Sequence, residues 1–411
     1  MNRWLLYILG IILFFAACKS DEEYSDTNTD TNVFEKGKRT IMVYMSGEND
    51  LTDFVVDDLA EMATASKQMS QDCRLIAYVD KAGSDSLPKI IRFEDGQQIQ
   101  DELYVRKSDQ ISTDPAVLEE FIRWATTRYP AESYGLILWG HANGWLIESD
   151  SIATTRSNIR RAYGRDTGNN SASQTLGKWL NTPSMATALS ESLPQKLKFI
   201  FADCCNFQCI ENAYELRNVA EYIIGSPAEI PGNGAPYHQT IIDLCSLSDT
   251  FYVAAVDHYH DMYDRYNRHV PLSVIKTSEI EQLALATTEL LAGMKPMSQF
   301  NYDGLIYYTG AEFQRVCYDM KDMLLFNGGT DSIREARWKE AFDCAVVYKR
   351  MSTLWMTNGH VFFDFDVTDE RYGGVSMFFT KDAYNVSPLK YNEDIKKMGW
   401  YWAVGPEWYE K

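Results

Sequence analysis

Two residues able to do covalent chemistry stand just past the ends of apolar runs. His141 follows Tyr134-Gly135-Leu136-Ile137-Leu138-Trp139-Gly140, and Cys205 follows Leu197-Lys198-Phe199-Ile200-Phe201-Ala202-Asp203-Cys204. An imidazole can take a thiol proton, and the thiolate is the competent nucleophile toward a carbonyl carbon. Cys204 competes with Cys205 for that role. Residues alternate sides on an extended chain, so Asp203 and Cys205 project alike while Cys204 points away. The segment Ile210 to Leu216 reads as a helix. A cysteine near a helix N-terminus is expected to have a lowered pKa, because the dipole favours the thiolate.

Other chemistry is poorly supported. Asp257-His258-Tyr259-His260-Asp261 holds metal-ligating types, but no further ligand set accompanies it, and a helix surface accounts for it better. Cys204, Cys205 and Cys209 lack the CxxC spacing of structural zinc sites and of dithiol redox motifs. No HExxH, GxSxG or GxxxxGK[ST] pattern occurs. The 411 residues carry a formal charge of −19, which repels a phosphate backbone and argues against nucleic-acid binding. The residues imply no cofactor.

The elements that must position His141 and Cys205 are strands buried on both faces. Thr40 to Met45, Leu75 to Val79, Tyr134 to Trp139, Leu197 to Ala202 and Ala220 to Gly225 are continuous apolar runs, the second ending at Asp80. Helical patterns lie between them. Leu51, Phe54, Val55, Leu59 and Met62 recur at helical spacing, and Asp114-Pro115 opens a helix whose apolar face is Val117, Leu118, Phe121, Ile122 and Ala125. This alternation predicts an α/β fold with a mostly parallel central sheet flanked by helices. In such sheets functional groups sit past the carboxyl ends of strands, where His141 and Cys205 are expected to meet. Residues 149–173 form a long polar stretch containing Arg156, Arg160, Arg161 and Arg165. The last third is mixed, with strand-like runs at Val361 to Phe363 and Val375 to Phe379. Trp400, Trp402 and Trp408 are expected to pack or cap its end.

The N-terminus reads as an address. Arg3 precedes an apolar run from Trp4 to Ala17, the pattern of a signal peptide over residues 1–17. Phe15-Ala16-Ala17-Cys18 resembles a bacterial lipobox, which implies lipidation of Cys18 and a place in the cell envelope, at the outer membrane or cell surface. Residues 18–37 are polar and acidic and read as a flexible tether. Eight cysteines are present; with Cys18 lipidated, seven remain, which cannot all pair within one chain.

Several of these stretches together resemble the clostripain family of cysteine peptidases, of the caspase-like clan. Ile41 to Asn49 is similar to the family's first strand and turn, and Ala131 to His141 to its histidine strand. Asp203-Cys204-Cys205 is similar to its Asp-x-Cys nucleophile motif, with Glu211 to Leu216 as the following helix. Ser226 to Tyr237 resembles its Ser…Glu…Pro-Gly…Pro-Tyr segment. The resemblance implies a caspase-like catalytic core over residues 38–250, with residues 251–411 completing the fold as a mixed α+β extension, partly a subdomain. It implies Cys205 as nucleophile and His141 as general base. Backbone N–H groups of Cys205 and Ala142 would form the oxyanion hole. Asp203 would lie at the base of a pocket for Arg or Lys, so that the partners are peptide or protein substrates with a basic residue before the cut. It further implies self-processing in the 149–173 loop at Arg156, Arg160, Arg161 or Arg165, and allows calcium as a cofactor. Ala142 stands where the family usually has Gly, and Asn206-Phe207 where it usually has Leu-Met. The alternative is an inactive relative, a surface lipoprotein that binds peptides or protein partners.

Overall fold

A computed structural model describes residues 33–83, 87–147, 162–168, 177–265, 269–309, 316–328, 331–357, 361–364, 366–381 and 390–410. Along the chain run β1 (Gly37–Gly47), α1 (Thr52–Ser66), β2 (Cys73–Lys81), β3 (Lys89–Glu94), β4 (Gln97–Gln100), α2 (Pro115–Arg128) and β5 (Ala131–Gly140). Next come β6 (Tyr163–Asp166), β7 (Lys178–Leu180), α3 (Thr182–Ser192), β8 (Leu197–Asp203), α4 (Ile210–Leu216) and β9 (Ala220–Gly225). They are followed by α5 (Tyr237–Leu244), α6 (Phe251–Arg265), β10 (Leu272–Lys276), α7 (Ile280–Leu291), β11 (Tyr307–Thr309), β12 (Cys317–Asp319), α8 (Met320–Phe326) and α9 (Ser332–Ala345). The strands β13 (Val346–Arg350), β14 (Leu354–Thr357), β15 (Val361–Asp364) and β16 (Ser376–Met377) complete the set, before short helical turns between Tyr391 and Tyr409.

Nine strands form the main sheet in the order β13-β10-β9-β8-β5-β1-β2-β3-β4. The five apolar runs read from the sequence are its centre, paired in parallel as β9-β8-β5-β1-β2. Antiparallel strands extend it on both sides. The alternation of each run sorts its side chains between two cores. Met42, Tyr44, Ile76, Leu136, Leu138 and Ile200 face one side with α2, α3, α4 and α7. Ile41, Val43, Met45, Ile137, Phe199 and Phe201 face the other with α1, α5 and α6. Each such fully buried aliphatic or Phe side chain is worth about 1.5–3 kcal/mol relative to exposure, which is why helices cover both faces. The α2 N-terminus is as expected, with Asp114 accepting a hydrogen bond from Ala116 N at 3.0 Å ahead of Pro115.

The edge of the sheet remote from the site is tied down. A disulfide joins Cys73 at the start of β2 to Cys245 after α5. Buried Arg39 donates to the carbonyls of Leu244 and Ser246 at 2.7 and 2.6 Å.

Three expectations need correction. Phe34 and Gly37 were expected in the tether, yet Phe34 stacks on Tyr129 at 4.6 Å, its N–H donates to Arg128, and Gly37 already belongs to β1. Of the Val375 to Phe379 run only Ser376–Met377 pairs as a strand, although the run is buried. Trp400 is buried, but Trp402 is exposed, so the tryptophans do not act as one cap. Residues 1–32, with the signal peptide and Cys18, lie outside the described residues. Among the described residues, no helix is long and apolar enough to cross a membrane.

Candidate active site

The strand register brings the two reactive segments to one place. Trp139 of β5 pairs with Asp203 of β8, so His141 and Cys205, each two residues further on, leave the sheet at the same level on neighbouring strands. Such strands lie about 4.8 Å apart. The segments stay together beyond the sheet: Asn206 Nδ2 donates to Asn143 Oδ1 at 3.5 Å, and a Cβ on Gly144 would lie 3.1 Å from the Asn206 carbonyl oxygen.

On the histidine side, Gly140 adopts φ +146, which turns the chain out of the sheet at a point where a Cβ would press on the Ser46 carbonyl oxygen at 3.0 Å. His141 Nε2 then lies 2.8 Å from Asp50 Oδ1 and 3.3 Å from Arg165 Nη2. Arg165 also pairs with Asp50. The His141 side chain keeps 25% of its surface exposed, so its ring is reachable from solvent. Residues 141–143 pair with 162–164 through Gly164 N to His141 O at 2.7 Å and Asn143 N to Ala162 O at 3.0 Å. In that pattern the N–H of Ala142 points away from 162–164. Beneath lies Tyr163, fully buried, its hydroxyl donating to the carbonyls of Tyr44 and Trp139 at 2.8 and 2.9 Å. Neither Asp50 nor Arg165 was singled out as an orienting group by sequence. The signal was positional: Asp50 ends the polar turn after a parallel strand, the same kind of place that flagged His141.

On the cysteine side, alternation along β8 puts the two thiols in different surroundings. Cys204 is fully buried in the core on the α3 and α4 face. Cys205 is only half-buried, and its Sγ sits 3.4 Å from Ile230 N and 3.8 Å from Ile230 O. The expected thiolate-favouring helix dipole does not reach it. Helix α4 begins at Ile210, after Asn206 with φ +57 and a cap at Cys209. Burial, followed by the carboxylate of Glu229, instead pushes the Cys205 thiol up to about 12. At rest Cys205 is therefore a thiol, and forming its thiolate needs a base.

Asp203 is buried directly before this pair, on the opposite face from Cys204. Its Oδ2 accepts from Tyr237 OH at 2.6 Å and Ala235 N at 3.0 Å, and its Oδ1 from Tyr259 OH at 2.8 Å. Three of its roughly four acceptor sites are thus used to organise the 234–237 turn and α6. Gly234, with φ +60, makes this possible, since a Cβ there would lie 2.4 Å from Asp203 Oδ2. Burial pushes the Asp203 carboxyl above its ordinary value. Asp58, which accepts from Trp139 Nε1 at 2.6 Å, is pushed up to about 9 by burial and then by Asp203. With Glu229 beside Cys205, the sheet edge on this face is a concentration of carboxyl groups.

The remaining sequence candidates are placed plainly. His258 pairs with Asp243 at 2.6 Å, His260 Nε2 lies 3.1 Å from the Met351 carbonyl, and Asp257 and Asp261 bind Arg350, so these four hold α6 to its neighbours. Arg156, Arg160 and Arg161 lie outside the described residues. Arg165 lies in β6 and is buried, so in this fold it is no accessible cleavage point.

The sequence pattern of the clostripain family matches residues 43–355. Clostripain of Hathewaya histolytica is 28% identical over 144 residues, 30% of this chain; the match spans about a quarter of that relative, 27%. A secreted C11 cysteine protease from Bacteroides thetaiotaomicron, solved with an irreversible peptide inhibitor, is 29% identical with a TM-score of 0.74. An inactive zymogen C11 protease from Parabacteroides distasonis is 25% identical with a TM-score of 0.73. In each of these two comparisons 90% of this chain and 99% of the other are covered. The fold is thus the caspase-like α/β arrangement.

Proposed function

The chain belongs to the clostripain family, and on that premise we propose that it is an exported cysteine endopeptidase that cuts after Arg or Lys. The observation that carries this reading is the pairing of Trp139 with Asp203, which sends His141 and Cys205 out of adjacent strands at one level. Asp50 holds Nε2 of His141, which leaves Nδ1 as the nitrogen that takes the Cys205 proton. The thiolate attacks the peptide carbonyl, and the N–H groups of Ala142 and Cys205 stabilise the oxyanion. The imidazolium then protonates the leaving amine, and water hydrolyses the acyl-enzyme. A thiol resting near 12 suits this order of events, since proton transfer to His141 accompanies attack.

The basic preference is supported by Asp203, two residues before Cys205, and by the Glu229 carboxylate that acts on Cys205, groups that a guanidinium or ammonium would pair with. Export is supported by the Cys73–Cys245 disulfide. Attachment through Cys18 to the cell envelope rests on the sequence of residues 1–18. Self-processing falls to Arg156, Arg160 and Arg161, because Arg165 is buried. The test is hydrolysis of arginyl and lysyl reporter peptides by the wild type and by Cys205→Ala. Turnover by the wild type alone supports the reading, and equal signal from both sinks it.

A further inference from the structure

His141 has a neighbour that the proposed hydrolysis does not use. The ring of Trp179 lies 6.2 Å from the His141 ring, centroid to centroid, tilted by 44°. Trp179 is the middle residue of β7, which pairs with β6 through Tyr163 to Leu180 and Asp166 to Lys178. On its other side β6 meets residues 141–143, with Tyr163 bridged to Ala142 and Gly164 N donating to the His141 carbonyl. The β6–β7 hairpin thus carries the indole across to the imidazole. Alternation sets which way it points. Leu180 is buried in the core, so Trp179 turns away from that core and is only half-buried. Position 164, next to Tyr163, puts no side chain between the rings. Gly164 has φ +66, and a Cβ there would run into Thr113 Cγ2 at 2.7 Å and Ser46 Oγ at 2.8 Å. A large apolar surface, partly open to solvent, therefore lies against the proposed general base.

We propose that Trp179 forms a subsite for an apolar side chain next to the basic residue of the substrate. The inference rests on the peptidase reading and deepens it. The two sides of the sheet keep the two subsites apart. Asp203 is bound by Tyr237 and Tyr259, which belong to the core with α1, α5 and α6. Tyr163 and Leu180, which root the β6–β7 hairpin, belong to the opposite core. An extended peptide alternates its side chains. One that sends an arginine toward Asp203 therefore sends the residues just before and just after it to the side of Trp179. The indole gives such a residue a rigid apolar surface that costs little conformational entropy to present. Polar groups nearby are already matched: Arg165 pairs with Asp50, and Asn143 N donates to the Ala162 carbonyl. An apolar side chain on the indole would thus displace none of them.

The experiment uses the full chain and internally quenched peptides with arginine fixed before the cut. Leu, Phe or Gly is placed either just before the arginine or just after the cut. The ratio of kcat/KM for Leu or Phe over Gly is measured at each place. The wild type favours the apolar residue by about 10-fold or more at one of the two places, which identifies the side that Trp179 serves. Trp179→Ala brings that ratio close to unity, Trp179→Phe keeps most of it, and Trp179→Lys shifts the preference toward Glu. A general disturbance of His141 slows all peptides alike, so the ratio separates contact with substrate from support of the imidazole. A ratio close to unity at both places in the wild type, or one unchanged in Trp179→Ala or Trp179→Lys, overturns the proposal. Absence of hydrolysis by the wild type, or equal hydrolysis by Cys205→Ala, instead sinks the peptidase reading and this inference with it.

Discussion

Asp50 Oδ1 lies 2.8 Å from His141 Nε2, joining the turn after β1 to the residue after β5. The contact engages one imidazole nitrogen and, on the proposed mechanism, leaves Nδ1 for the thiol, although the two residues are far apart in sequence. Asp50→Ala should therefore lower kcat for a basic reporter by roughly 10²-fold or more, with KM little changed. Steady-state kinetics on a folded variant checks this. A fall in kcat/KM carried wholly by KM contradicts an orienting role.

The Cys205 thiol is held up to about 12 by burial and by Glu229. Its alkylation by iodoacetamide should be slow at neutral pH and still rising with pH in the alkaline range. Glu229→Gln removes a neighbouring negative charge, so its alkylation profile should shift to lower pH. The same variant should lose part of its preference for Arg and Lys over uncharged residues. Mass spectrometry of the modified peptide across pH, with paired reporter substrates, measures both effects.

Much of this was legible in the sequence because buried parallel strands read as continuous apolar runs and because side chains alternate along them. That alternation separates Cys204, in the core, from Cys205, which is only half-buried. Asp50 and Arg165 were harder, since their partner is a residue brought near only by strand order. The thiol was misread for a physical reason. The helix expected to lower its pKa starts five residues later, and burial outweighs it.

Asp58 gives a signed dependence on pH. Its folded pKa is raised from 3.8 to about 9, so between those values the folded chain holds a proton that the unfolded chain has lost. Its contribution to stability is full below about pH 4 and is lost as pH rises toward 9. Asp58→Asn keeps an oxygen for Trp139 Nε1 and removes the titration. Urea unfolding across this range should show a flatter loss of stability in the variant than in the wild type.

Asp203 is predicted to matter for folding as well as for the pocket. Asp203→Ala leaves the Tyr237 and Tyr259 hydroxyls and the Ala235 N–H without their acceptor. With about 1–3 kcal/mol for each stranded donor, the loss should amount to several kcal/mol. Denaturant unfolding checks it. A loss below about 1 kcal/mol would mean that these bonds are not formed in solution.

Replacing the adjacent thiols one at a time, and measuring cleavage of an arginyl reporter, probes the site most directly. With both variants folded, Cys204→Ala should retain cleavage and Cys205→Ala should abolish it. Retained cleavage in Cys205→Ala, or its loss only in Cys204→Ala, would contradict the assignment of Cys205 as the nucleophile.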